Sequence, residues 1–128
     1  MKRGHKMEIQ KLGNSFTVCK ITSVAVVDLT KKFTFLSITD DEISLVCESS
    51  SIPANTTAVE PDWRGLKICG VLDFGMVGVI AEISRLLAEN SISIFVVSTY
   101  NTDYIFIKSV NFENAIAILR ANGYDING

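Results

Sequence analysis

The chain has little of what catalysis is usually built from. It carries one histidine, His5, which lies in a basic opening stretch far from any serine or cysteine in an apolar run. No serine has a histidine partner, no cysteine sits in a basic surround, and the acidic side chains are scattered over turns and solvated helix faces, so no catalytic residues are expected. Cys19, Cys47 and Cys69 are odd in number, widely spaced and set in apolar segments, with no CxxC pair. They read as buried, reduced thiols of a cytoplasmic protein rather than a metal site, and no cofactor or metal is expected. Positive charge is also scarce: the net charge is −2, and the only basic cluster is Lys2, Arg3 and Lys6. That excludes the basic footprint of a nucleic-acid binder. No window approaches the roughly 18 consecutive apolar residues of a membrane-crossing helix. Nor is the opening Met-Lys-Arg-Gly-His-Lys followed by the apolar core of a signal peptide, so a cytoplasmic location is expected.

Apolar side chains, in contrast, make up 48% of the 128 residues, against 20% charged. This suits one compact unit, or two small lobes sharing a core, with part of the surface buried in an oligomer. Residues 1–12 read as a flexible tail, 13–60 as a small first lobe and 61–128 as the main domain.

Phe16 to Ile21 alternates as a strand, while Ser23 to Leu29 suits either a strand or a short helix. Phe33 to Ile38 and Glu42 to Cys47 flank the polar Thr39-Asp40-Asp41 and form a hairpin. Ser49 to Thr57 is the one breaker-rich segment and is read as the connection between the two halves. Leu66 to Leu72 is an apolar strand with Gly70 inside it. From Met76 the period becomes helical, with Met76, Val79, Ile80, Ile83, Leu86 and Leu87 on one face, ending at Asn90 and Ser91. Ile92 to Thr99 is apolar on both faces, which predicts a central strand. Asp103 to Val110 is a further strand, and Asn111 is placed to cap a second helix. Phe112, Ala115, Ile116 and Leu119 give that helix its buried face, and Gly123 its C-terminal stop. Tyr124-Asp125-Ile126 can add a closing strand. The order predicts an α+β, ferredoxin-like βαββαβ domain, its two helices on one face of a four-stranded sheet.

Gly78-Val79, Ile83, Leu86-Leu87, Ile92-Ser93-Ile94 and Ser98-Thr99 resemble the ACT domain, a ligand-binding regulatory module. Leu72-Asp73-Phe74 before the helix, with Ser98-Thr99-Tyr100 and Thr102-Asp103-Tyr104 after it, is similar to the tandem form of that family. This form occurs in small bacterial proteins, aspartate-kinase tails and cytosolic arginine sensors. The likeness is sharp over residues 63–126 and weaker over 16–47, where it implies a second, reduced ACT-like lobe N-terminal to the first. Two residues depart from the pattern: Ser91 stands where the family carries glycine, and Asn101 where the tandem form often carries an acid.

The resemblance implies an amino-acid site built from two segments. One is Asp73, Phe74, Gly75, Met76, Val77 and Gly78, where unpaired first-turn amides and the positive end of the helix dipole suit a carboxylate. The other comprises Ser98, Thr99, Asn101, Thr102 and Asp103, in which Asp103, or instead Asp73 of the first segment, can hold an amine. Local roles compete: Asp73 as a helix cap, Asp103 as a turn former, and Ser98 and Thr99 as partners of nearby backbone. The expected function is non-catalytic sensing of an amino acid, with output through a homodimer or other homo-oligomer, or through a regulated partner protein. The alternative is a structural interaction module that has lost its ligand. An RNA-recognition reading, suggested by Tyr104 and Phe106 alternating on one strand, lacks both the basic motif and the basic charge.

Overall fold

The computed structural model describes residues 8–69 and 78–128. Its elements are β1 (Glu8–Ile21), β2 (Phe35–Ile38), β3 (Ile43–Glu48), β4 (Thr56–Ile68), α1 (Val79–Ala88), β5 (Ile94–Ser98), β6 (Asp103–Lys108), α2 (Ser109–Ala121) and β7 (Asp125–Asn127). Single 3₁₀ turns occupy Val24–Val26 and Ser49–Ser51. The chain divides into two compact units, a larger one of Met1–Gly13 with Arg64–Gly128 and a smaller one of Asn14–Trp63.

In the larger unit the strands stand in the order β7-β1-β4-β6-β5. The first residues of β1 run parallel to β7, pairing Ile9 with Ile126, and the Cys69 amide donates to the Glu8 carbonyl at the end of β4. Glu8 to Leu12 were expected as tail, yet they form this inserted strand. The reason is burial: Ile9 is fully buried and Leu12 nearly so, and the strand supplies the hydrogen-bonding partner that β4 and β7 would otherwise lack. The sheet therefore has one strand more than the four expected.

Helical periodicity predicts the packing of α1 and α2 well. Ile83, Leu86 and Leu87 from α1 and Phe112, Ala115, Ile116 and Leu119 from α2 join Leu66, Ile68, Ile105 and Ile107 in one core cluster. Val79 and Ile80 pack at its margin, while Met76 lies outside the described residues. The α2 start corrects the expected cap at Asn111. The helix begins at Ser109, directly after β6, so Asn111 lies within its first turn and Lys108 takes the capping position without a side-chain bond. Phe112 is then seated under the Arg64 guanidinium, whose carbon lies 4.4 Å from the ring centre. Tyr124, just past α2, donates its hydroxyl to the Glu82 carboxylate on α1. Burial, followed by that bond, raises the Tyr124 phenol above its ordinary value.

Both helices end in the same motif with different residues. After α2, the Gly123 and Tyr124 amides donate back to the Arg120 and Leu119 carbonyls, with Gly123 at φ 96°. After α1, the Ser91 and Ile92 amides donate to Ala88 and Leu87, and Ser91 holds φ 60°, the left-handed region that a glycine takes at no steric cost.

A second correction concerns β5. Its two apolar faces predicted a central strand, yet it ends the sheet order with β6 as its neighbour. Its inner residues Ile94 and Val96 pack on the core, and on the other face Phe95 stacks on Phe106 at 4.8 Å. The apolar outer face thus reflects an aromatic pair across two strands rather than burial on both sides.

In the smaller unit the order is β2-β3-β1-β4. The expected hairpin is present, with β2 antiparallel to β3 and Leu36 opposite Leu45. Cys19, Ile21, Leu45 and Cys47 form its core cluster. Burial raises both thiols, that of Cys47 to about 11. Ser23 to Leu29 resolves as the 3₁₀ turn Val24–Val26, with the Ser23 hydroxyl accepting from the Ala25 amide. Ser49 to Thr57, read as the connection between halves, lies wholly inside this unit, where Asn55 anchors it through bonds to Thr22 and Ser23. The chain instead passes between units within the long strands β1 and β4, at Gly13 and between Pro61 and Gly65, where the strands continue through residues that usually interrupt them.

Candidate functional site

β4 brings Leu66 and Ile68 to the core and turns Lys67 to the other side, as strand alternation requires. At its end, the Ile68 carbonyl accepts a hydrogen bond from the Thr102 hydroxyl, a buried contact joining β4 to the β5–β6 connection. That connection is held as a tight turn. The Thr99 amide donates to the Thr102 carbonyl at 2.8 Å, and the Thr99 hydroxyl donates to the same oxygen at 3.0 Å. The Thr102 amide in turn donates to the Thr99 hydroxyl at 3.3 Å. Both threonines therefore spend their hydroxyl protons on the protein's own backbone.

Beside this turn lies a cavity of about 350 Å³, walled by Lys67, Ile68 and Cys69 from the end of β4, by Thr99, Asn101 and Thr102 from the turn, and by Tyr104 from β6. Its volume sits at the small end of the range for ligand pockets. Among the described residues, half-buried Lys67 is the one charged side chain of that lining, and it has no carboxylate partner.

Of the expected site residues, Thr99, Asn101 and Thr102 meet in this cavity. Ser98 and Asp103 face each other as a register pair where β5 and β6 meet, and neither lines it. Asp103 follows the alternation of Ile105 and Ile107, opposite to that of Thr102 and Tyr104. Gly78 opens α1 at φ 92° with open space where a Cβ would stand, and it too is outside the lining. Asp73, Phe74, Gly75, Met76 and Val77 lie outside the described residues. Sequence reasoning missed Lys67, Cys69 and Tyr104 as pocket residues. The signal was available for Lys67: a lone cation inside the apolar run Leu66 to Cys69 must be turned away from the core. Among the described residues no cluster of His, Cys, Asp and Glu is fit to hold a metal, and no helix is long and apolar enough to cross a membrane.

Residues 58–121 match the family model of the ACT domain. A solved protein of Agrobacterium tumefaciens is 27% identical, with a TM-score of 0.86 over 96% of this chain and 94% of its own. The regulatory subunit of aspartate kinase from Thermus thermophilus, ligand-free, superposes at 0.63 with 11% identity over 94% of this chain and 99% of its own. Aspartate kinase from Clostridium acetobutylicum, described as an allosteric enzyme, superposes at 0.62 with 16% identity, over 90% of this chain and 34% of its own. No curated protein matches the chain.

Proposed function

The chain belongs to the ACT domain family, and from that premise we propose that it is a non-catalytic regulatory module that senses an amino acid. The observation that carries this reading is the cavity at the end of β4. Its wall contains Thr99, Asn101 and Thr102, which the family resemblance marks as ligand-side residues. A small polar pocket walled by a pinned turn suits a compact zwitterion, because the wall keeps its shape before the ligand arrives. The structural likeness to the aspartate-kinase regulatory subunit supports a regulatory role over a catalytic one.

The smaller unit fits a second, reduced ACT-like lobe. Its order β2-β3-β1-β4 is that of a ferredoxin-like sheet, with 3₁₀ turns at Val24–Val26 and Ser49–Ser51 where full helices would connect the strands. Output would pass through a homodimer or through a regulated partner protein.

The competing reading, a structural module without a ligand, draws on the threonine hydroxyls that the backbone already occupies. A thermal-shift panel of the twenty amino acids separates the two. At about 100 times its Kd a ligand adds about 2.7 kcal/mol, a shift of several degrees for a chain of this size. At least one amino acid is expected to give such a shift. No response across the panel would leave the structural module as the better account.

A further inference from the structure

The charge inventory of the cavity says what kind of ligand it suits. Its wall offers one ammonium, Lys67, and among the described residues no carboxylate. The Thr99 and Thr102 hydroxyls donate to main-chain carbonyls, so the side-chain nitrogen donors of the described wall are the Lys67 ammonium and the Asn101 amide. A lysine- or arginine-like side chain would bring a second cation against Lys67 and meet no compensating acid among the described residues of the wall. An anionic side chain would give Lys67 the carboxylate partner it lacks among the described residues.

We infer that this pocket selects an acidic amino acid, its side-chain carboxylate held by Lys67 with the Asn101 amide beside it. The inference rests on the sensing function proposed above and narrows it to one chemical class. Lys67 is here a specificity-determining residue. The neighbouring half-buried Cys69, two positions along and on the same wall, gives a direct way to read its field. Cys19 and Cys47 are buried, and their thiols are raised by burial, so they serve as slow internal controls.

Two measurements on the full chain test the inference. In the first, thermal shift is titrated with L-aspartate, L-glutamate, L-asparagine, L-lysine and L-arginine against the wild type, Lys67→Met and Lys67→Arg. Aspartate or glutamate is expected to bind best. Lys67→Met should weaken it by about tenfold or more, the usual worth of a charge-assisted bond, and Lys67→Arg should restore much of the loss. In the second, alkylation of Cys69 is followed by mass spectrometry with iodoacetate, an anion, and iodoacetamide, its neutral analogue. Taking the ratio of the two rates cancels any change in thiol ionisation. It should fall by about threefold or more in Lys67→Met, as expected when one partly screened charge is removed. Stabilisation by neutral or basic amino acids alone overturns the acidic class and leaves the sensing function standing. A flat response to all twenty overturns both. An alkylation ratio unchanged by Lys67→Met overturns the role given to Lys67.

Discussion

Ser91 shows how a single backbone angle can be stored in an otherwise ordinary helix end. The motif that closes α1 needs a residue in the left-handed region, and Ser91 adopts φ 60° there while Gly123 serves the equivalent place after α2. A Cβ in this region costs about 1–2 kcal/mol, partly offset by the entropy a glycine would lose on folding. Ser91→Gly should therefore stabilise the chain by about 0.5–1 kcal/mol, read as a rise in the urea midpoint at unchanged slope. A fall in the midpoint would mean that the Ser91 side chain makes a contact worth more than the strain. The departure from the family pattern was visible in the sequence, but its consequence was not, because φ is set by the bonds of Ser91 and Ile92 to the helix. Gly65 is the converse case. A Cβ there would stand 2.9 Å from Leu12 and 3.2 Å from Phe106, so its smallness serves strand packing that involves residues far away in the sequence.

The elements differ in how firmly they hold the larger unit. α2 presents a fully buried stripe, with Phe112 at 1% exposure beneath Arg64, whereas β5 ends the sheet with Phe95 only half-buried on Phe106. Truncating a fully buried phenylalanine typically costs about 3–5 kcal/mol, and less where solvent already reaches the ring. Phe112→Ala should thus destabilise by roughly 3–5 kcal/mol and Phe95→Ala by clearly less, measured by urea unfolding of both. Equal losses would contradict the placement of β5 at the sheet's end. The apolar stripes of both helices and the β2–β3 hairpin were legible from periodicity, since each is decided by neighbours a few residues apart. The edge position of β5 was not, because a strand with two apolar faces looks alike whether it is central or backed by an aromatic pair.

At the scale of the whole molecule, the larger unit is assembled from two separate stretches of chain. The strand beginning at Glu8 lies between β7 and β4, and its Ile9 is fully buried in the core cluster. A fragment of residues 61–128, the domain that composition and resemblance alone would mark out, lacks that strand. It should show no cooperative thermal transition by circular dichroism, while the full chain does. Cooperative melting of the fragment near the full-length midpoint would mean that the inserted strand contributes little. The ligand response of the intact chain belongs to this scale too, since the pocket wall combines the end of β4 with a turn some thirty residues further along the chain.

Taken alone, the order of residues determined the helix faces, the hairpin, the glycine stop after α2 and membership of a recognisable family, all written in spacings of a few residues. Only the tertiary structure decided which strands are neighbours, where β5 sits and that Lys67 and Cys69 share a cavity with Thr99 and Asn101. Those outcomes come from pairing between distant segments, which is settled by burial and backbone hydrogen bonding across the whole sheet and leaves no local pattern to read.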